Sequence, residues 1–106
     1  MCNRRRQAVR ARDLTALSSA PPAASHISGG YNAADDTQHV IYASGDGRLH
    51  ELWHVLGETS VHHVDLTAAY GAPPAADRPV YYSSARAPHQ HVAYRGTNGH
   101  IYELLW

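Results

Sequence analysis

Two glutamates stand where a carboxylate needs a reason. Glu51 lies in HVIYASGDGRLHELWH, beginning at His39, and Glu103 in HVAYRGTNGHIYELLW, running from His91 to Trp106. Both sit within alternating apolar runs, and a carboxylate on an apolar strand face must be satisfied by a partner. One reading is structural: a tyrosine hydroxyl or backbone amide supplies the hydrogen bond. The other is functional: Glu51 and Glu103 accept hydrogen bonds from a polar ligand while nearby aromatic rings pack on its apolar side. Sugars suit such a site, because they combine hydroxyl groups with a C–H face that lies against a ring. Catalysis is not expected. The chain has no nucleophile motif, no phosphate-binding loop and no acid/base pair at a defined spacing.

Nine histidines raise the question of zinc. His62-His63, or His39 with His91, lack zinc-motif spacing and a cysteine or carboxylate at a metal-site interval, so no metal or other cofactor is expected. Asp65 with Thr67, like Asp13 with Thr15, is read as satisfying backbone amides at a strand end.

The elements that must position the glutamates are hairpins. Asp46-Gly47 and Asn98-Gly99 tolerate positive φ and predict two-residue type I′ turns. Such turns fix the register. Tyr42 then faces Glu51, Ala43 faces His50, Val40 faces Trp53 and His39 faces His54. In the second hairpin Thr97 faces His100, Arg95 faces Tyr102, Tyr94 faces Glu103, Val92 faces Leu105 and His91 faces Trp106. Each glutamate thereby shares a face with a tyrosine. Barring a bulge or strong twist, His39 and His91 fall on the opposite face.

The hairpins belong to a larger repeat. DLTALSSAPPAA at Asp13 and DLTAAYGAPPAA at Asp65 are 52 residues apart, as are His39 and His91. Four strands per unit are predicted: Val61 to Thr67 with a weak partner at Val9 to Thr15, Pro79 to Ser84 with a partner near His26 to Tyr31, and the two arms of the hairpin. Pro21-Pro22 and Pro73-Pro74 mark extended crossovers between them. The expected organisation is an N-terminal arm over 1–12, repeat units at 13–54 and 65–106, and a joining segment over 55–64. Four short antiparallel strands every 52 residues match a β-propeller blade, for which ~40 to 50 residues are typical. The fold class expected is all-β, two blades per chain. Two blades do not close a ring, so closure requires either a homo-oligomer, three chains giving six blades, or further blades of which this chain is a fragment.

The formal charge is zero, from nine arginines against nine acidic residues. That balance offers no case for nucleic acid or an anionic membrane. Arg4-Arg5-Arg6, followed by Arg10 and Arg12, reads as a solvated N-terminal arm. Cys2 is the only cysteine, so no intrachain disulfide forms and the compartment stays unknown. No stretch approaches the ~20 apolar residues of a membrane span or the core of a signal peptide. A soluble chain without a conventional export signal is expected.

The pattern of strand, turn, G-x-(I/L)-x-E-L and a long Ala/Pro connection resembles the repeats of bacterial and fungal β-propeller lectins, in particular fucose-binding lectins related to the Aleuria type. The resemblance spans Asp13 to Trp106 and its motif is short. It implies a non-catalytic, two-blade, trimeric lectin with sites between adjacent blades, taking glycans that include fucosylated ones. By that resemblance the acidic ligand residue is Glu51 or Glu103, and the aromatic is Trp53, Trp106, Tyr81 or Tyr82, joining Tyr42 and Tyr94 from the register. The arginine of the second strand is where the sequence departs. His39 and His91 stand twelve residues before each glutamate, Arg95 is the only arginine in that strand, and Ala43 occupies the equivalent place in the first unit. A protein-interaction scaffold that binds no glycan is the alternative.

Overall fold

A computed structural model describes residues 9–106. The triple arginine and Cys2 lie outside the described residues. The chain is built from two antiparallel sheets with two one-turn helices. The element order is α1 (Leu14–Ser18), β1 (Ser28–Asn32), β2 (Thr37–Ala43), β3 (Leu49–Val55), β4 (His62–Asp65), α2 (Leu66–Tyr70), β5 (Val80–Ser83), β6 (Gln90–Arg95) and β7 (Ile101–Leu105). The first sheet is ordered β1-β2-β3-β4 and the second β5-β6-β7.

Each expected strand of the 61–67 type is shorter than the sequence implies. β4 stops at Asp65, whose carboxylate accepts the amide of Ala68 at 2.9 Å and caps α2. Asp13 does the same for Ala16 at 3.0 Å, so residues 14–18 are helical and residues 9–12 form no strand. The repeated aspartates do satisfy backbone amides, but at a helix start rather than a strand end.

The turns correct the expected register. A type I′ turn needs positive φ at both central residues, and here only the glycines have it: Gly47 at 83° and Gly99 at 85°. Gly47 N–H donates to Ser44 O at 2.9 Å, while Ser44 N–H donates to Arg48 O at 3.0 Å. Gly99 and Gly96 repeat this, Gly99 N–H to Gly96 O at 2.9 Å and Gly96 N–H to His100 O at 2.8 Å. This is the three-residue loop in which a type I turn ends on a left-handed glycine bulge. Asp46 and Asn98 select it, because their side-chain oxygens accept the amides of Arg48 at 3.2 Å and His100 at 3.0 Å.

One extra loop residue moves every pair by one. The observed partners are Ile41↔Glu51, Tyr42↔His50 and His39↔Trp53 in the first sheet, and Ala93↔Glu103, Tyr94↔Tyr102 and His91↔Leu105 in the second. Tyr42 and Tyr94 therefore lie on the face opposite the glutamates, and His39 and His91 lie on the same face as them. The expectation is reversed for all four residues.

The two sheets meet face to back. Ile41, Ala43 and Leu49 from the glutamate face of the first sheet pack with Tyr81, Val92 and Tyr94 from the second sheet's other face, closed by Leu66, Ala72 and Ala75. Tyr42 and Leu52 form a smaller cluster behind the first sheet with Val61, Leu14 and Ala20. The hydroxyls of Tyr42 and Tyr94 donate to Pro21 O at 2.5 Å and Pro73 O at 2.8 Å, so each tyrosine ties down its own unit's proline crossover.

Candidate functional site

The glutamate face occurs twice in two states. In the first sheet it is closed. His39 Nδ1 lies 2.6 Å from Glu51 Oε2, and His39 Nε2 lies 2.6 Å from Thr37 Oγ1. The Thr37 hydroxyl donates to Asp35. Thr37 Oγ1 and Glu51 Oε2 thus hold the ring at both nitrogens. Glu51 is 3% exposed and His39 4%.

What buries them is the second sheet. The Tyr81 ring stacks on His39 at a centroid distance of 5.4 Å and 19°. It occupies the space over Gly30, where a Cβ would stand 3.1 Å from the ring. Burial, with Glu51 and Asp35 nearby, pushes the Tyr81 hydroxyl up to about 12. A hydroxyl, an imidazole and a carboxylate in line form the skeleton of a nucleophilic triad. Here the hydroxyl is buried and directed at Asp35, so the row works as an internal hydrogen-bond chain.

In the second sheet the same face is open. His91 Nδ1 is 3.4 Å from Glu103 Oε2, with the Glu103 side chain 44% exposed. Position 82 carries a tyrosine where the first unit has Gly30, and its ring lies parallel on His91 at 4.8 Å and 2°. The Tyr82 hydroxyl donates to Glu103, and this bond raises the tyrosine's pKa more than its slight desolvation or the Glu103 charge does. Val80, Ile101 and Leu105 on this face are all exposed. Arg95 shares it, two positions along β6, and pairs with Asp77 at 2.9 Å. The result is a carboxylate and a phenol ring presented to solvent within an apolar surround, with the His91 ring largely covered beneath the phenol and its Nε2 3.0 Å from Pro88 O.

The remaining expected site residues divide by face. Trp53 shares the Glu51 face, within 6.4 Å of His39 and stacked on His62 at 4.3 Å. Trp106 points the other way from Glu103, into the core beside Tyr70. Thus Tyr82, His91, Glu103 and Arg95 share one open face, while Glu51, His39 and Trp53 share a covered one, and Tyr42, Tyr94 and Trp106 join neither. The sequence did not reveal Thr37 and Asp35 as continuations of the His39 row. Their only signal was the polar Asp-x-Thr leading from the turn into β2 ahead of His39.

A second histidine row lies behind the first sheet. His50 Nε2 is 2.9 Å from Ser44 Oγ, and His50 Nδ1 is 2.9 Å from His63 Nε2. Burial pushes the His50 pKa down, only partly opposed by Asp65. No group of three or more metal-ligating side chains occurs among the described residues. Among the described residues no helix is long and apolar enough to cross a membrane. Comparison with family models, with curated proteins and with solved structures finds no match.

Proposed function

We propose that the chain is a non-catalytic carbohydrate-binding module in which each sheet is a β-propeller blade, and that its working site is on the second blade. The observation carrying this is the contrast between the two glutamates. Glu51 is committed to His39 beneath Tyr81, whereas Glu103 is held by Tyr82 and His91 at an exposed apolar face. A sugar's hydroxyls have acceptors in Glu103 and in the Tyr82 oxygen, whose own hydrogen is committed to Glu103, and its C–H face has Leu105 and Ile101 to lie on. One site per chain follows, where the repeat alone implies two. Three chains giving six blades would array three such sites, and arraying weak sites raises avidity by ~10² to 10⁴.

A glycan array that includes fucosylated structures tests this reading. Wild-type chain should be retained, Glu103→Gln should lose retention with its fold intact, and Tyr42→Phe, which keeps the buried ring, should keep it. An array without hits, or full retention by Glu103→Gln, sinks it. The second reading is an interaction scaffold, alone or as part of a longer propeller. It is favoured by one observation: the equivalent face of the first sheet is covered by protein, not left for a ligand.

A further inference from the structure

The second sheet lacks the strand that the first sheet has. β4 pairs with β3 through His50↔Asp65, Glu51↔Val64, Leu52↔His63 and Trp53↔His62. Among the described residues β7 pairs only with β6, leaving its outer edge bare. Bare edges recruit strands.

The segment equivalent to β4 exists, 52 residues earlier, and it is unpaired. Residues 9–12 form no ladder and are exposed, with Val9 99% exposed. Among the described residues, a hydrogen bond tethers them at one point, the Arg12 guanidinium donating to Thr59 O at 2.8 Å. They lead into α1 through the Asp13 cap just as β4 leads into α2 through the Asp65 cap. The backbone therefore leaves each helix from the same kind of start.

We infer that residues 9–13 of one copy of this chain add to β7 of a second copy as its fourth strand. Transferring the β3–β4 register by the repeat distance pairs Tyr102 with Asp13, Glu103 with Arg12, Leu104 with Ala11 and Leu105 with Arg10. Val64 shares a face with Glu51; in the new pair Arg12 shares one with Glu103. The partner thus brings a cation to the one carboxylate of β7. Charge complementarity and edge geometry choose the same register.

The face-to-back contact has a matching feature. Inside the chain, Tyr81 rises from the second sheet over Gly30 of the first. Between copies the sizes exchange: Tyr82 stands on the open face, and Gly29 takes the Tyr81 position on the back of the incoming sheet. A cavity of about 370 Å³ lies there, lined by Gly29, Val40, Leu52 and Val61. Tyr82 is a knob for that hole. This deepens the assembly reading above by stating how copies join, and it stands whether or not a sugar binds.

The test uses the full chain with Cys2→Ser as background. Directly opposed residues in an antiparallel pair stand ~4.5 to 5.5 Å apart, within disulfide reach. Arg12→Cys chains refolded together with Glu103→Cys chains should form a disulfide-linked dimer that neither forms alone, and circular dichroism checks that both fold. By light scattering, Arg12→Glu or Glu103→Arg should weaken association about tenfold or more, and the two changes together in one chain should restore it. No mixed dimer, or an association indifferent to both reversals, overturns the inference. So does a wild-type chain that stays monomeric at tens of micromolar. Absence of glycan retention by the wild-type chain, with the mixed dimer forming, would count against the ligand proposal alone.

Discussion

Glu51 and Glu103 occupy equivalent positions in equivalent hairpins, each with a histidine twelve residues before it, yet one is sealed and the other exposed. The difference is made by the neighbours. In the first unit Asp35 and Thr37 extend the histidine row and Gly30 leaves room for Tyr81 to close over it. In the second unit Ala87 and His89 stand in place of Asp35 and Thr37, and Tyr82 fills the space that Gly30 leaves vacant. A carboxylate's role here is set by what covers it, not by its own position in the motif.

Removing the buried member should have the largest effect. Glu51→Ala strands His39 in the core and should cost about 3 to 5 kcal/mol of stability, whereas Glu103→Ala should stay within about 0.5 kcal/mol. Urea unfolding midpoints compare the two, and equal losses would erase the distinction. Of similar size, Tyr81→Ala should cost about 3 to 5 kcal/mol by opening a cavity over His39, while Tyr82→Ala, which opens no cavity within the chain, should cost no more than about 1 kcal/mol. Gly30→Ala places a methyl 3.1 Å from the Tyr81 ring and should destabilise by about 1 to 3 kcal/mol through overpacking. Gly47→Ala and Gly99→Ala should each cost about 1 to 2 kcal/mol, since an alanine resists the left-handed conformation.

The smallest effect is a pH dependence confined to the first sheet. Burial lowers the His50 pKa in the folded state, so the unfolded chain binds the proton more readily. Stability associated with this group is complete above the ordinary histidine value of ~6.5 and falls as the pH drops below it, down to the lowered folded value. Tyr102 replaces His50 in the second unit. The His50→Tyr variant should therefore flatten the slope of the unfolding midpoint below about pH 6.5.

The strand alternation, the glycine turns and the 52-residue period were legible because each depends on local rules. They gave an all-β chain and located most of its strands. The faces were not legible, and the reason lies in two side chains. Asp46 and Asn98 fit a two-residue turn as well as a three-residue one; only their bonds to the amides of Arg48 and His100 decide between them. Because strand side chains alternate, that choice changed the neighbour of each glutamate from tyrosine to histidine. The short helices were missed for a related reason: DLTA reads equally as a strand end or as a capped turn, and the cap wins. Burial of Glu51 by Tyr81 depends on contact between sheets, which no local pattern encodes.

The glycine bulge in each hairpin acts as a parity bit. Whether the loop holds an odd or even number of residues determines which half of the alternating side chains turns inward. Closing the hairpin around two residues in place of three, with Gly45 drawn into the ladder opposite Arg48, would keep the chain length and trade the inside of the first hairpin for its outside: Tyr42 would meet Glu51, and His39 would lose it. The choice of flanking pair at each tip therefore decides the face of every residue behind it, whereas removing Gly45 outright would leave Ser44 opposite Arg48 and each strand pair as it is.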